Sequence, residues 1–357
     1  MGKASADKKK KVKTVRVALI GCTEAAEKHM EALKAIQEVK VVAVCDIDEE
    51  RLAKFKKKYK VRRGYTNYLK MIPTSHSGID AVHVCLDDSS AALVASYCLL
   101  NKCNVMIEPP VAFDFDAVHG VVRSADYMGK RCAVVPPARS NALFGFAKDA
   151  LCEGRLGQIL SVRTMLCLAA EKGAAKTPDA ILFGLLAPAI DLVDALVEDA
   201  VSGLSCSLAN RTRVAAGAAD SAEGVITYDG GVKHSFYYTG NYEGSSAQTA
   251  IVCEHGEILF EGNDVRITYE DGTKDELHDD AAVGGCLDAV RAFYEACCEG
   301  EASPADVHGA LRLHEILLGL YADAMARGIS VSKPPRLSVA GKAGEDTLLS
   351  KKQRLWY

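Results

Sequence analysis

The residues best suited to chemistry begin in one short turn, Gly21-Cys22-Thr23-Glu24-Ala25-Ala26. A dinucleotide-binding turn of the form G-x-G-x-x-G/A needs a first glycine for the tight turn. It needs a small third residue so that strand and helix can pack closely. Gly21 and Ala26 meet those two requirements, but Thr23 stands where a second glycine would admit a pyrophosphate to the backbone. The helix starting here would still offer unbonded amides to an anion. Asp46 ends the next strand-like run, where a carboxylate accepts from the ribose hydroxyls of NAD and repels the 2′-phosphate of NADP. Gly21, Thr23, Glu24, Ala25 and Asp46 are therefore candidate cofactor contacts, with NAD favoured over NADP. The same residues also suit an ordinary strand–turn–helix in which Asp46 merely caps the next segment.

Other proton-handling side chains are scattered. His83 lies inside a strand and reads as a packed core histidine; His29, at the first helix, either touches a cofactor or packs; His76 is in a loop. Tyr237, Tyr238 and Tyr242 could reach a ligand or form a packing or dimer face. No metal site is expected: the nine His are dispersed, His308 and His314 lack a helical ligand spacing, and the 13 Cys contain no C-x-x-C pair.

These residues hang on elements that change character halfway along the chain. Up to about residue 140, near-continuous apolar strands (Val15 to Ile20, Val39 to Val44, Ala81 to Leu86, Asn104 to Ile107, Arg131 to Val135) alternate with helical segments. That pattern predicts a doubly wound parallel α/β sheet covered on both faces. From Ile159 to Thr268 the runs are strand-like and joined by turns such as Asp229-Gly230-Gly231 and Asp271-Gly272. One helix is expected at about Leu185 to Leu196, and two close the region, Val283–Cys298 and Pro304–Arg327. The expected organisation is a basic leader at 1–13, a Rossmann domain at 14–140, an α+β domain with an open, mostly antiparallel sheet at 141–332, and a tail at 333–357.

Composition is that of a globular chain, 357 residues with 49% hydrophobic and 25% charged residues, which excludes wholesale disorder and fibrous repeats. The net charge of −4 argues against a uniformly basic nucleic-acid binder. It is the sum of six Lys and one Asp in residues 1–13 and an acidic remainder. With apolar-run cysteines, no signal core and no apolar stretch of membrane length expected, the reading is a cytoplasmic protein in a reducing compartment, with neither nucleic acid nor membrane as partner.

Over roughly residues 14 to 330 the sequence resembles the glucose–fructose oxidoreductase / inositol dehydrogenase / MocA (Gfo/Idh/MocA) family. The resemblance is carried by Val15–Ala26 with His29 and Glu31-Ala32-Leu33, by Val41–Asp48 with Glu50-Arg51, and by Asp80–Cys85. It continues through Asn104–Pro110, Glu153-Gly154-Arg155-Leu156-Gly157 with Ile159-Leu160-Ser161-Val162, and Ala302-Ser303-Pro304 with the helix after it. It implies a Rossmann domain binding NAD or NADP, then an open-sheet domain holding a sugar-like or cyclitol substrate and forming a homo-oligomer through that sheet. Hydride would pass between a carbinol carbon and the nicotinamide, with a lysine and a histidine handling the hydroxyl proton.

The resemblance also locates departures. Where the family carries E-K-P the chain has Glu108-Pro109-Pro110, and proline cannot exchange a side-chain proton. The family's D-x-G-x-H-x-x-D falls on Gly184 to Asp191, leaving Gly184 for the first Asp, Pro188 for the His, and only Asp191 retained. Leu86-Asp87-Asp88 replaces the usual T-P-N, placing carboxylates where a dinucleotide would repel them. The resemblance adds Leu86, Asp87 and Glu108 to the cofactor contacts and assigns Arg139, Asn141 and Asp191 to a substrate cleft. Three functional readings are open: an NAD(P)-dependent oxidoreductase of impaired competence, a non-catalytic nucleotide- or sugar-binding regulatory protein, and a dimerising scaffold without dinucleotide.

Overall fold

The structure, a computed structural model, describes residues 14–72, 78–86, 90–109, 111–112, 114–134, 139, 141–169, 176–212, 218–280, 286–299 and 307–330. Six short runs form the first sheet: β1 (Val15–Ile20), β2 (Val39–Cys45), β3 (Arg63–Tyr65), β4 (Ala81–Val84), β5 (Asn104–Ile107) and β6 (Cys132–Val134). All pairs are parallel, in the order β3-β2-β1-β4-β5-β6. Strand order reverses between β1 and β4, so the crevice beyond their carboxyl ends is where a doubly wound sheet takes its ligand.

The crossovers are α1 (Glu24–Lys34), α2 (Glu49–Tyr59), α3 (Tyr68–Met71), α4 (Ala91–Leu100) and α5 (Phe115–Met128). Thr23, Asp48, Asn67 and Asp114 cap α1, α2, α3 and α5 by accepting from first-turn amides, each such cap contributing about 1 kcal/mol. The strands bury both faces, as their unbroken apolar runs require: Val17 and Leu19 face one core, Ala18 and Ile20 the other.

After α6 (Ala142–Cys152) the chain builds a nine-stranded sheet from β7 (Ile159–Ala169), β8 (Val201–Ala209), β9 (Ser221–Tyr228), β10 (Lys233–Tyr242), β11 (Ser246–Cys253), β12 (Gly256–Glu261), β13 (Asp264–Tyr269), β14 (Lys274–His278) and β15 (Ile329–Ser330). Pairing is antiparallel except at β7–β10 and β8–β15, so the sheet is mixed and mostly antiparallel. Side chains alternate: Phe236 and Tyr238 are buried, whereas Tyr237 between them is only partly covered. Tyr238 is thus a core residue, and Tyr242 is exposed.

Three further helices cover these sheets: α7 (Ala187–Val197), α8 (Cys286–Glu299) and α9 (Val307–Arg327). Although α8 lies between β14 and β15 of the second sheet in sequence, it packs on the first. Ala289, Val290, Phe293 and Tyr294 join Leu19, Met30 and Leu33 in one core, and burial of a side chain such as Phe293 contributes about 1.5–3 kcal/mol. The long α9 serves both sheets, with Val307 in the first core and Ile316, Leu317 and Leu320 in the second.

The helix expected at about Leu185 begins earlier, at Ala180, with a π-helical turn through Leu186 that leads into α7. Pro188 supplies the reason. Without an N–H it cannot close an α-helical bond to the turn before it, so the preceding segment is wound wider. Ala180–Val197 is also the one helix among the described residues long and apolar enough to cross a membrane, a run that the expectation of no membrane-length stretch did not include. Most of it is buried in the protein, and its two carboxylates, Asp191 and Asp194, each pair with an arginine.

Candidate active site

At the carboxyl end of β1, Gly21 has φ +91°, and a Cβ built on it would lie 2.3 Å from the Cys85 carbonyl oxygen. Only glycine meets both demands. Thr23 does local work in place of the absent second glycine. Its hydroxyl donates to the Cys85 carbonyl (3.1 Å) and accepts from the Ala26 amide (3.3 Å). The side chain is thereby folded into the turn. The amides of Glu24 and Ala25 precede the first intrahelical bond, from Glu27 to the Thr23 carbonyl (3.2 Å), and such first-turn amides favour an anion. Leu86 packs beside Gly21. Asp87, Asp88 and Pro110 lie outside the described residues.

Asp46 is buried and held by four bonds. Its Oδ2 accepts from the Cys22 amide (2.7 Å) and Arg51 Nε (2.9 Å), its Oδ1 from the Asp48 amide (2.8 Å) and Arg51 Nη2 (2.8 Å). Burial alone would push this carboxyl up. The bonds from Arg51 and the two amides outweigh burial and hold it below the ordinary carboxylate value. A carboxylate has about four acceptor sites, so a ribose hydroxyl reaching Asp46 must displace Arg51, whose side chain is half exposed.

Glu108 follows β5, and its amide donates to the Val84 carbonyl (2.9 Å), fixing it beside the end of β4. Its Oε1 is 2.5 Å from His29 Nε2. His29 Nδ1 bonds in turn to His83 Nδ1, and His83 Nε2 lies 2.8 Å from the Tyr294 hydroxyl. His83 is a buried histidine, as expected of a residue inside a strand. His29 both packs and touches Glu108. Tyr294 escaped the sequence reading because its partner is 211 residues away, a separation that carries no local signal. Pro109, next to Glu108, is exposed.

On the second wall Asp191 is buried and accepts at Oδ1 from Arg139 Nε (2.9 Å) and Nη2 (2.5 Å). Its Oδ2 is buried without a partner. Burial pushes this carboxyl up, and Arg139 offsets only part of the shift. Arg139 lies against α9, since a Cβ on Gly309 would stand 2.9 Å from its Nη1. Asn141 caps α6 through its Oδ1, which accepts from the Phe144 amide (2.7 Å). Gly184 and Pro188 are both exposed, one helical turn apart. The structure thus brings Gly21, Thr23, Leu86 and Asp46 together on one side, and Arg139 and Asp191 together on the other.

A doubly wound parallel sheet joined to an open mixed sheet, with an anion-ready helix start at the switch point, is a two-domain α/β architecture with a Rossmann-type first domain. Residues 15–135 match the profile of the GFO_IDH_MocA family, described as an oxidoreductase family with an NAD-binding Rossmann fold; it is over this first domain that the chain is similar to that family. One curated relative, a 4-carboxy-2-hydroxymuconate-6-semialdehyde dehydrogenase from Sphingobium sp., is 26% identical over 151 residues. That match covers 42% of this chain and 47% of the relative, so the chain matches about half of that protein's length. The fold is shared with an Agrobacterium radiobacter oxidoreductase solved with NAD+, L-tartaric acid and magnesium (TM-score 0.77, 17% identity, 88% of this chain and 97% of that one). It is shared as well with a Lactobacillus casei scyllo-inositol dehydrogenase solved with NAD(H) and scyllo-inositol (TM-score 0.76, 16% identity, 88% and 98%).

Proposed function

We propose that the chain binds NAD(H) at the crevice beyond β1 and β4 and acts on a polyhydroxylated, sugar-like or cyclitol substrate by hydride transfer. The observation that carries this reading is the turn at Gly21, whose positive φ and close approach to Cys85 leave the first amides of α1 facing an anion site. Asp46 supports NAD over NADP once Arg51 is displaced from it, because the freed carboxylate accepts from the ribose hydroxyls and repels a 2′-phosphate. Arg139 and Asp191 supply a donor and an acceptor suited to vicinal hydroxyls, in line with the polyol and hydroxy acid held by the structural relatives. A homo-oligomer through the open sheet and a cytoplasmic location complete the proposal.

NADH should raise the melting temperature, since a ligand held only by the folded state stabilises it. NADPH should raise it less. No shift with either at about millimolar concentration, some hundredfold above an ordinary cofactor Kd, would end this reading in favour of a scaffold. A second reading, binding without turnover, is favoured by the exposed Pro109 and Pro188, neither of which can exchange a proton. A panel of sugars, inositols and hydroxy acids with NAD separates the two: accumulation of NADH supports hydride transfer, and its absence alongside a NADH-induced shift supports binding alone.

A further inference from the structure

A chain of four titratable side chains, drawn from four separate segments, runs from the crevice edge into the protein: Glu108 after β5, His29 on α1, His83 on β4 and Tyr294 on α8. The contacts are 2.5 Å from Glu108 Oε1 to His29 Nε2, then His29 Nδ1 to His83 Nδ1, then 2.8 Å from His83 Nε2 to the Tyr294 hydroxyl. The inner three members are fully or almost fully buried, whereas the Glu108 side chain keeps a fifth of its surface exposed. Polar groups at this depth are costly unless every one is bonded, and here each has a partner.

For an uncharged His29, the carboxylate end fixes the direction of every bond. A carboxylate only accepts, so His29 must donate from Nε2, and a neutral His29 then accepts at Nδ1. His83 must therefore donate from Nδ1, which leaves its Nε2 to accept from the Tyr294 hydroxyl. Burial keeps His83 and Tyr294 uncharged. It holds His83 well below 6.5, with the neighbouring His29 adding to the effect, and Tyr294 well above 10, with Cys297 adding to it. Phe293 closes the chain edge-on against both rings. Glu108 is thus held by His29 at Oε1, while Oε2 is the oxygen left for another partner.

We propose that Glu108 takes the substrate's hydroxyl proton, and that His29, His83 and Tyr294 are positioning residues that hold its carboxylate toward the crevice. The inference rests on the NAD-dependent reading above. In the step, the carbinol C–H bond breaks and carries its electron pair as hydride to NAD+, the oxidant. The O–H bond breaks with its proton passing to Glu108 Oε2, and a carbonyl forms between the carbon and oxygen. The substrate is oxidised, NAD+ is reduced, and the proton leaves the carboxylic acid for water at its exposed side.

Glu108→Gln keeps shape and hydrogen bonding but cannot accept the proton. It should lower kcat on any polyol the native chain oxidises by about 100-fold or more, the usual scale of general-base catalysis, with the NADH-induced melting shift retained and Glu108→Asp recovering part of kcat. Tyr294→Phe should shift the pH profile of kcat rather than the Kd for NADH. Independently of turnover, side-chain nitrogen NMR on histidine-labelled protein should find His29 protonated on Nε2 and His83 on Nδ1 at neutral pH. His83 protonated on Nε2, or native kcat in Glu108→Gln, overturns the proposal while leaving the NAD-dependent reading intact. A native chain that binds NADH but oxidises nothing on the panel ends that reading, and the role of Glu108 with it.

Discussion

The turn at Gly21 and the helix at Pro188 are substituted in opposite ways. At the turn, Thr23 replaces a glycine, yet its hydroxyl takes over a cap and ties α1 to Cys85. The backbone geometry that a pyrophosphate needs survives the change. Pro109, Gly184 and Pro188, where the resemblance would place proton-handling residues, carry no polar side-chain atom, and all three are exposed. A nucleotide site is built largely from backbone, so a different side chain can sit in it without dismantling it. A proton-transfer site is built from side chains and has no such reserve.

The first of these regions should be the more sensitive to mutation. Gly21→Ala places a Cβ against the Cys85 carbonyl at a positive φ and is expected to cost about 3 kcal/mol. Chemical denaturation would measure that loss, and the NADH-induced shift should vanish with it. Asp46→Asn removes a charge held by two backbone amides and a bidentate arginine, with an expected cost of about 1–2 kcal/mol. The pH dependence has a definite sign. Because the folded Asp46 carboxyl sits below its ordinary value of 3.8, its stabilisation is complete above that value and is lost as pH falls through the folded one. Asp46→Asn should therefore flatten the acid limb of the stability profile and leave the profile above pH ~6 parallel to the native one.

The chemistry-bearing region should respond in the other direction. Pro109→Lys with Pro188→His changes two exposed positions and should alter stability by about 1 kcal/mol or less. It should raise NADH production from a polyol about tenfold, a fraction of what general acid–base groups supply. Unchanged turnover would mean that Glu108 alone already carries the proton.

Much of the fold was legible in the sequence because its strands are unbroken apolar runs flanked by caps, from Val15–Ile20 to Asn104–Ile107. Gly21 and Asp46 stood out from their local turn and strand end, whereas Pro109 and Pro188 stood out only against the motifs of the family that the sequence resembles. What escaped depends on distance in sequence. The placement of α8 on the first sheet, the Arg139–Asp191 pair across 52 residues and the Tyr294–His83 contact across 211 leave no periodic trace. The short β14 and β15 escaped because polar edge strands such as Lys274–His278 bury too little to impose alternation. Thr23 read as a missing glycine because capping depends on φ/ψ, which residue type alone does not report.

Calorimetric titration of the full chain with NADH and, in parallel, with NADPH tests the central claim most directly. Measurable one-site binding of NADH, weaker binding of NADPH, and loss of NADH binding in Gly21→Ala are expected. Binding of neither nucleotide, or NADPH bound more tightly than NADH, would contradict it.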